Sequence, residues 1–222
     1  MSRRASVAGA AAAVLWNNVV LPGAGLGPYG RAVAGGALGL SVVGAARAAG
    51  YGIDELGLSA SKARSGLRYG AVASVVPLAG YALGLSVPAL RRRVPAGDGV
   101  TGFAGWVGFR IPVGTVAHEE LLFRSVLSAM LRRAWPPATA HVLHAATFGL
   151  WHVRAARIAG DGVAASVLLT GTSAWLFEWL RRRSGSVVAP ALLHLSINVG
   201  GAVAAEVARA RSRLSVCRRA EP

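Results

Sequence analysis

Glu119, His152, His194 and Asn198 are of the residue types that move protons or hold metal ions, and each lies within a run that is otherwise apolar. His118-Glu119-Glu120 stands in the run 101–131, with Arg124 four residues after Glu120. Phe148 and His152 are four apart in the next run, and His194 and Asn198 are four apart in the last. On a helix, residues at that spacing share a face. A carboxylate beside an imidazole can activate water, and an imidazole with an amide can donate toward a single point, such as a developing oxyanion.

The two glutamates divide by their neighbours. Glu120 has Arg124 one turn away and can form an ion pair with it, which would hold Glu120 ionised and unreactive. Glu119 points about 100° away on a helix and has no cation at that spacing. The chain has nine acidic residues, so an adjacent pair inside an apolar run stands out. A charge at mid-bilayer costs about 2.5–3.5 kcal/mol, so these side chains must face protein or a wet cavity. Each motif also has a structural reading. Glu120–Arg124 can be a buried pair with Glu119 as spectator, and His152 can bond a backbone carbonyl. His194 and Asn198 can form an interhelical clasp worth about 1 kcal/mol. Phe148 lies directly beneath His152 and can wall and dry the site. His141 and His144 are nearer the start of their segment and read as structural or interfacial.

The elements that must position these residues are apolar helices. About 20 apolar residues span a bilayer. The runs are Ser6–Leu21, ended by Pro22-Gly23, then Arg31–Gly50, Tyr69–Leu90, Thr101–Leu131, Pro137 to about Ala159, Gly162–Leu180 and Val187–Val207. Tyr51–Arg68 is polar enough for an interfacial loop, and the polar tail from Arg209 is expected to be mobile. The fold class is therefore all-α, a polytopic transmembrane bundle of about seven (six to eight) helices. Residues 1–100 would form N-terminal helices and a loop, 101–208 the site-bearing core, and 209–222 a basic tail. His194 lies shallow in its run. A fourth helix starting at Pro112 would leave Glu119 at a different level, whereas one starting near Thr101 and kinking at Pro112 brings the two level.

Composition agrees with a membrane protein. Apolar residues make up 54% of the chain and charged ones 15%, against about 25% charged in a soluble domain. The net charge of +15 falls in short clusters beside apolar runs, where arginine can meet anionic headgroups. It includes no aromatic-interleaved basic face or known motif for nucleic acid. Cys217, the single cysteine, excludes an intrachain disulfide and a cysteine-based metal site. The first run could be a cleaved signal peptide, but Asn17-Asn18 and the lack of a small-x-small site favour a first transmembrane helix. Basic residues divide almost evenly between the two ends of the bundle, so they orient it only weakly, toward a cytoplasmic C-terminus.

Glu-Glu-x3-Arg, Phe-x3-His and His-x3-Asn, in this order and each on its own apolar helix, resemble the signature of the CPBP family. That family includes the type II CAAX prenyl endopeptidases and bacterial relatives described as abortive-infection or bacteriocin-immunity proteins. The resemblance covers 101–207. Before it, the chain is similar only in being apolar and helical, with Tyr51–Leu58 similar to a short motif that precedes the domain in relatives.

The resemblance implies an intramembrane endopeptidase that hydrolyses a membrane-associated substrate, such as a prenylated CAAX protein. Glu119 and His152 would activate water, His194 and Asn198 would serve the oxyanion, and Glu120, Arg124 and Phe148 would support them. The family is often called metal-dependent, and Glu119, His152 and His194 could offer zinc three ligands and one open position. The spacing lacks the His-Glu-x2-His pair of zincins, so zinc stays an option. The partners expected are membrane lipids and a peptide or protein substrate that can be lipidated, not nucleic acid. The expected location is a bacterial plasma membrane. Two rival readings use the same residues: a non-proteolytic scaffold or immunity protein, and a small proton-coupled transporter.

Overall fold

The computed structural model describes residues 1–91 and 101–220, with 214–220 as backbone only. Among these residues there are helices and no strands, as the apolar runs require. The chain forms α1 (Arg3–Gly23), α2 (Pro28–Ala48), α3 (Ala60–Ser86), α4 (residues 103–134), α5 (Pro137–Trp151), α6 (Val163–Ser184) and α7 (Val188–Ala220). Pro88–Arg91 adds one turn after α3, and Val153–Ala159 two turns after α5. Pro28 and Pro137 open their helices, where a missing N–H costs nothing. Gly160 and Gly185 close theirs at φ 74° and 72°, a backbone geometry that side chains disfavour.

Among the described residues four helices, α1, α3, α6 and α7, are long and apolar enough to cross a membrane. The outward faces of α3 and α6 carry Val72, Val76, Leu168 and Leu169, each more than 70% exposed. A surface with such clustered aliphatic side chains faces lipid rather than water. α5 is shorter, 15 residues or about 22 Å. Its apolar run, expected to form one helix to Ala159, breaks at His152. There φ −89° and ψ 0° interrupt the ladder, and the His152 N–H turns to the Gly149 carbonyl at 3.0 Å.

Two other expectations need correction. Residues 60–68, read as part of an interfacial loop, belong to α3: Lys62, Arg64 and Arg68 sit on a helix, leaving a shorter connection before Ala60. The tail from Arg209, expected to be mobile, continues α7 as helix to Ala220. Arg209 pairs with Glu206 at 2.7 Å, and the Ser212 hydroxyl donates to the Ala208 carbonyl. Arg92 and Arg93 of the arginine triplet, and the side chains of Cys217, Arg218 and Arg219, lie outside the described residues.

Packing sets the position of the polar segment. α3 lies along α7, α5 along α6, and α2 along α4. The α2–α4 approach is close because glycine faces α4: a Cβ on Gly35 would come within 2.6 Å of His118 Nδ1, and one on Gly36 within 2.8 Å of Val113. Small residues give such approach in membranes, where lipid tails remove the hydrophobic drive to associate. The connection before α3 straps one end of the bundle. Arg133 stacks over the Tyr51 ring at 3.8 Å and pairs with Glu55 at 2.6 Å. Arg181 donates to the Glu55 carbonyl, and the Val187 N–H to the Gly57 carbonyl, both at 2.9 Å. The Arg133 hydrogen bond holds the Glu55 carboxyl below its ordinary range.

Candidate active site

Glu119 sits halfway along α4, which starts at Phe103 and so has the long form needed to level the site. The helix passes Pro112 in wide turns bonded i→i+5 (Trp106–Ala117), and again in Glu120–Leu127. Proline has no N–H and crowds the carbonyl four residues back; a wider turn relieves both conflicts. Such turns are frequent at functional sites.

Glu119, Glu120 and His194 are all buried, and Arg124 is fully so. Glu119 Oε1 accepts from the Trp151 indole N–H at 3.1 Å. Its other oxygen, Oε2, is buried and has no protein hydrogen-bond partner. It lies 4.0 Å from His152 Nε2 and 3.9 Å from His194 Nε2. Both imidazoles are oriented from behind. His152 Nδ1 meets the Phe148 carbonyl at 2.8 Å, and His194 Nδ1 meets Glu120 Oε1 at 2.9 Å. Carbonyl and carboxylate oxygens only accept, so both Nδ1 atoms carry the proton and both Nε2 atoms face Glu119.

Arg124 supports this arrangement. Its Nη1 is 3.5 Å from Glu120 Oε1, completing the ion pair expected at that spacing. The guanidinium carbon lies 4.0 Å over the Phe148 ring and 4.6 Å from that of Phe177. Phe177 also stacks on the His194 ring, and Phe148 stands edge-on to His152 with centroids 4.7 Å apart. The two phenyl rings therefore separate a buried cation from the imidazoles.

The structure thus brings together Glu119, Glu120, Arg124, Phe148, His152 and His194. Asn198 lies one turn beyond His194 on α7, and its amide donates back to the His194 carbonyl at 3.1 Å. His144 bonds the Phe123 carbonyl through Nε2, and His141 accepts from Arg182 beside an open cleft. Two contributors escaped the sequence reading: Trp151, whose N–H holds the carboxylate, and Phe177. A buried indole N–H needs a partner, so a Trp adjoining His152 was the available signal. Nothing in the pattern marks Phe177.

Zinc would need its nitrogen and oxygen ligands at about 2.0–2.2 Å, which places tetrahedral neighbours roughly 3.4 Å apart. The separations from Glu119 Oε2 are 3.9 and 4.0 Å. Among the described residues no group of three or more His, Cys, Asp or Glu could hold a metal ion. As placed, the three side chains do not fit one.

Residues 101–200 match a family model described as type II CAAX prenyl endopeptidase, Rce1-like. Over this segment the chain is similar to the CAAX-type intramembrane proteases of the CPBP family. No curated protein matches it, and no solved structure does. The match to the CAAX protease model spans Glu119, Glu120, Arg124, Phe148, His152, His194 and Asn198, and leaves out α1, α2 and α3. With its lipid-facing helices, the chain is an integral membrane protein.

Proposed function

We propose that the protein hydrolyses a peptide bond in a membrane-associated, prenylated substrate, with Glu119 as general base. The observation that carries this reading is the unpartnered Glu119 Oε2, buried between two imidazole nitrogens about one water's width away. A water at about 2.8 Å from two atoms so spaced subtends roughly 90° between them, a workable hydrogen-bond angle. Such a water donates one hydrogen to Glu119 Oε2 and the other to His152 Nε2, leaving a lone pair for attack.

As the carbon–oxygen bond forms, the water's proton passes to Glu119. His194, held at Nδ1 by Glu120, donates to the oxyanion from Nε2 once that nitrogen has also taken up a proton, and Asn198 adds a second donor. The carbon–nitrogen bond then breaks and Glu119 gives its proton to the departing amine. Each group does work only where charge develops, which is what lowers the barrier. Trp151 and the Phe148 carbonyl fix the base and its imidazole, and the Phe148 ring keeps bulk water out.

A lipidated substrate suits the apolar cleft between α3 and α7, about 640 Å³ and lined by Leu78, Tyr81, Leu195, Val199 and Gly200. Leu195 and Val199 directly follow His194 and Asn198 on α7. The test uses detergent-purified protein with a farnesylated CAAX peptide and its unprenylated twin. Cleavage is expected of the farnesylated peptide preferentially, with Glu119→Gln melting as the wild type and retaining less than a tenth of its turnover. Robust turnover by Glu119→Gln would remove Glu119 from the role. Equal cleavage of both peptides would remove the prenyl group from recognition.

A further inference from the structure

We infer that Asn17 and Asn18 of α1, outside the family-matched segment, are positioning residues for the catalytic histidine. The inference rests on the proposed role of His152. It begins with the break between α5 and Val153–Ala159. Where a helix ends, its last carbonyls lose their partners, and where another begins its first N–H groups lack theirs. Within an apolar bundle these groups are costly unless something bonds them.

Two asparagines in an apolar membrane helix supply what the break lacks. Asn17 Nδ2 donates to the Trp151 carbonyl at 2.9 Å. Asn18 Nδ2 donates to the Leu150 carbonyl at 3.0 Å and lies 3.4 Å from that of Trp151. Asn18 Oδ1 accepts from the Arg154 N–H at 2.7 Å, capping the short helix from a different segment. One amide therefore satisfies both sides of the break, and His152 is the residue between them.

The local backbone of α1 is shaped for this. Trp16–Val20 forms a wide turn bonded i→i+5, which swings consecutive side chains closer to one face than an α-turn does. Asn18 Nδ2 also reaches the Val14 carbonyl at 2.9 Å, one turn earlier. From α1 the constraint passes through the backbone of Trp151 and His152 to two atoms of the site, the indole N–H on Glu119 Oε1 and the Nε2 facing Glu119 Oε2. Hydrolysis tolerates little displacement of these groups, since a shift of about 1 Å can cost about 10²-fold in rate.

The experiment compares full-length wild type, Asn17→Ala, Asn18→Ala, the double alanine variant and Asn18→Asp in detergent. Hydrogen exchange is followed across 150–158, and kcat and KM are measured per folded molecule on the farnesylated peptide. In Asn18→Ala, exchange of the Arg154 amide should accelerate while protection elsewhere in α5 and α6 stays. Its kcat should fall about 10- to 100-fold with KM within about twofold. Asn18→Asp keeps the acceptor for Arg154 and should restore that amide's protection and part of kcat. A purely structural role would instead lower the folded fraction and leave kcat per folded molecule unchanged, which overturns the inference. Unchanged exchange at Arg154 in the double variant overturns it as well. Absence of turnover in the wild type would defeat the proteolytic reading instead. The exchange pattern and the alkylation rate of His152, expected to change in Asn18→Ala and not in Asn18→Asp, would then decide whether the pair positions that ring.

Discussion

Removing the Arg124 charge isolates the supporting half of the site from the reacting half. Arg124 is fully buried, its Nη1 is 3.5 Å from Glu120, and its guanidinium sits between Phe148 and Phe177. Arg124→Met keeps the volume of the stem and leaves Glu120 ionised with only His194 beside it. Stranding one partner of a buried pair costs about 3–5 kcal/mol, and Glu120→Gln should cost a similar amount by stranding Arg124. Replacing both leaves two neutral groups of the same shape, and such replacements are often near neutral. The double variant should therefore lie at least about 2 kcal/mol above the sum of the singles, roughly a 30-fold difference in the unfolding constant. Unfolding by SDS in mixed micelles, followed by far-UV circular dichroism, gives the four stabilities of the cycle. Losses that add within about 0.5 kcal/mol would show that the two groups do not act as a pair, and Glu120 would return as a candidate base.

Other expectations follow from the same geometry. Trp151→Phe removes the hydrogen bond that orients the Glu119 carboxylate, and the displaced base should lower steady-state kcat by about 10²-fold with the protein still folded. Asn198→Ala should lower the rate by about 10²–10³ with little change in KM, and turnover should survive prolonged chelation. Stoichiometric zinc lost together with activity on chelation would place a metal at Glu119, His152 and His194 instead. The depressed Glu55 carboxyl contributes stability that is present above the carboxyl's unfolded value and lost as pH falls through its lowered folded one. Thermal melts below about pH 4.5 should accordingly drop less steeply in Glu55→Gln than in the wild type.

The motifs were legible because polar side chains are conspicuous in apolar runs, and the cost of burying them forces them to meet. Glu119, Glu120, Arg124, Phe148, His152 and His194 do meet. The partner of His194 was not foreseen. Helical spacing alone sends Glu120 to Arg124 and says nothing of a third group arriving from α7 at 2.9 Å. Trp151 escaped because an aromatic residue in an apolar run reads as packing until its N–H has to be satisfied. The i→i+5 turns of α4 and the break at His152 are settled by tertiary contacts. A proline at 112 predicts a disturbance there but not which hydrogen-bond pattern absorbs it. Asn17-Asn18 were visible as oddities in a membrane run, while their acceptors lie more than 130 residues away.

That separation has a consequence for biosynthesis. Asn17 and Asn18 leave the ribosome 132–136 residues before the carbonyls and N–H that they bond. At synthesis rates of about 5–20 residues per second the interval is roughly 7–27 seconds. During it Asn17 lacks its partner and Asn18 keeps only the Val14 carbonyl of its own helix, which leaves α1 a poor candidate for stable residence in lipid on its own. The nascent helix must wait at the translocation machinery or in the headgroup layer until α5 arrives. A conditional depletion of membrane insertases should therefore expose α1 to protease before any other segment, and leucines at 17 and 18 should abolish that sensitivity.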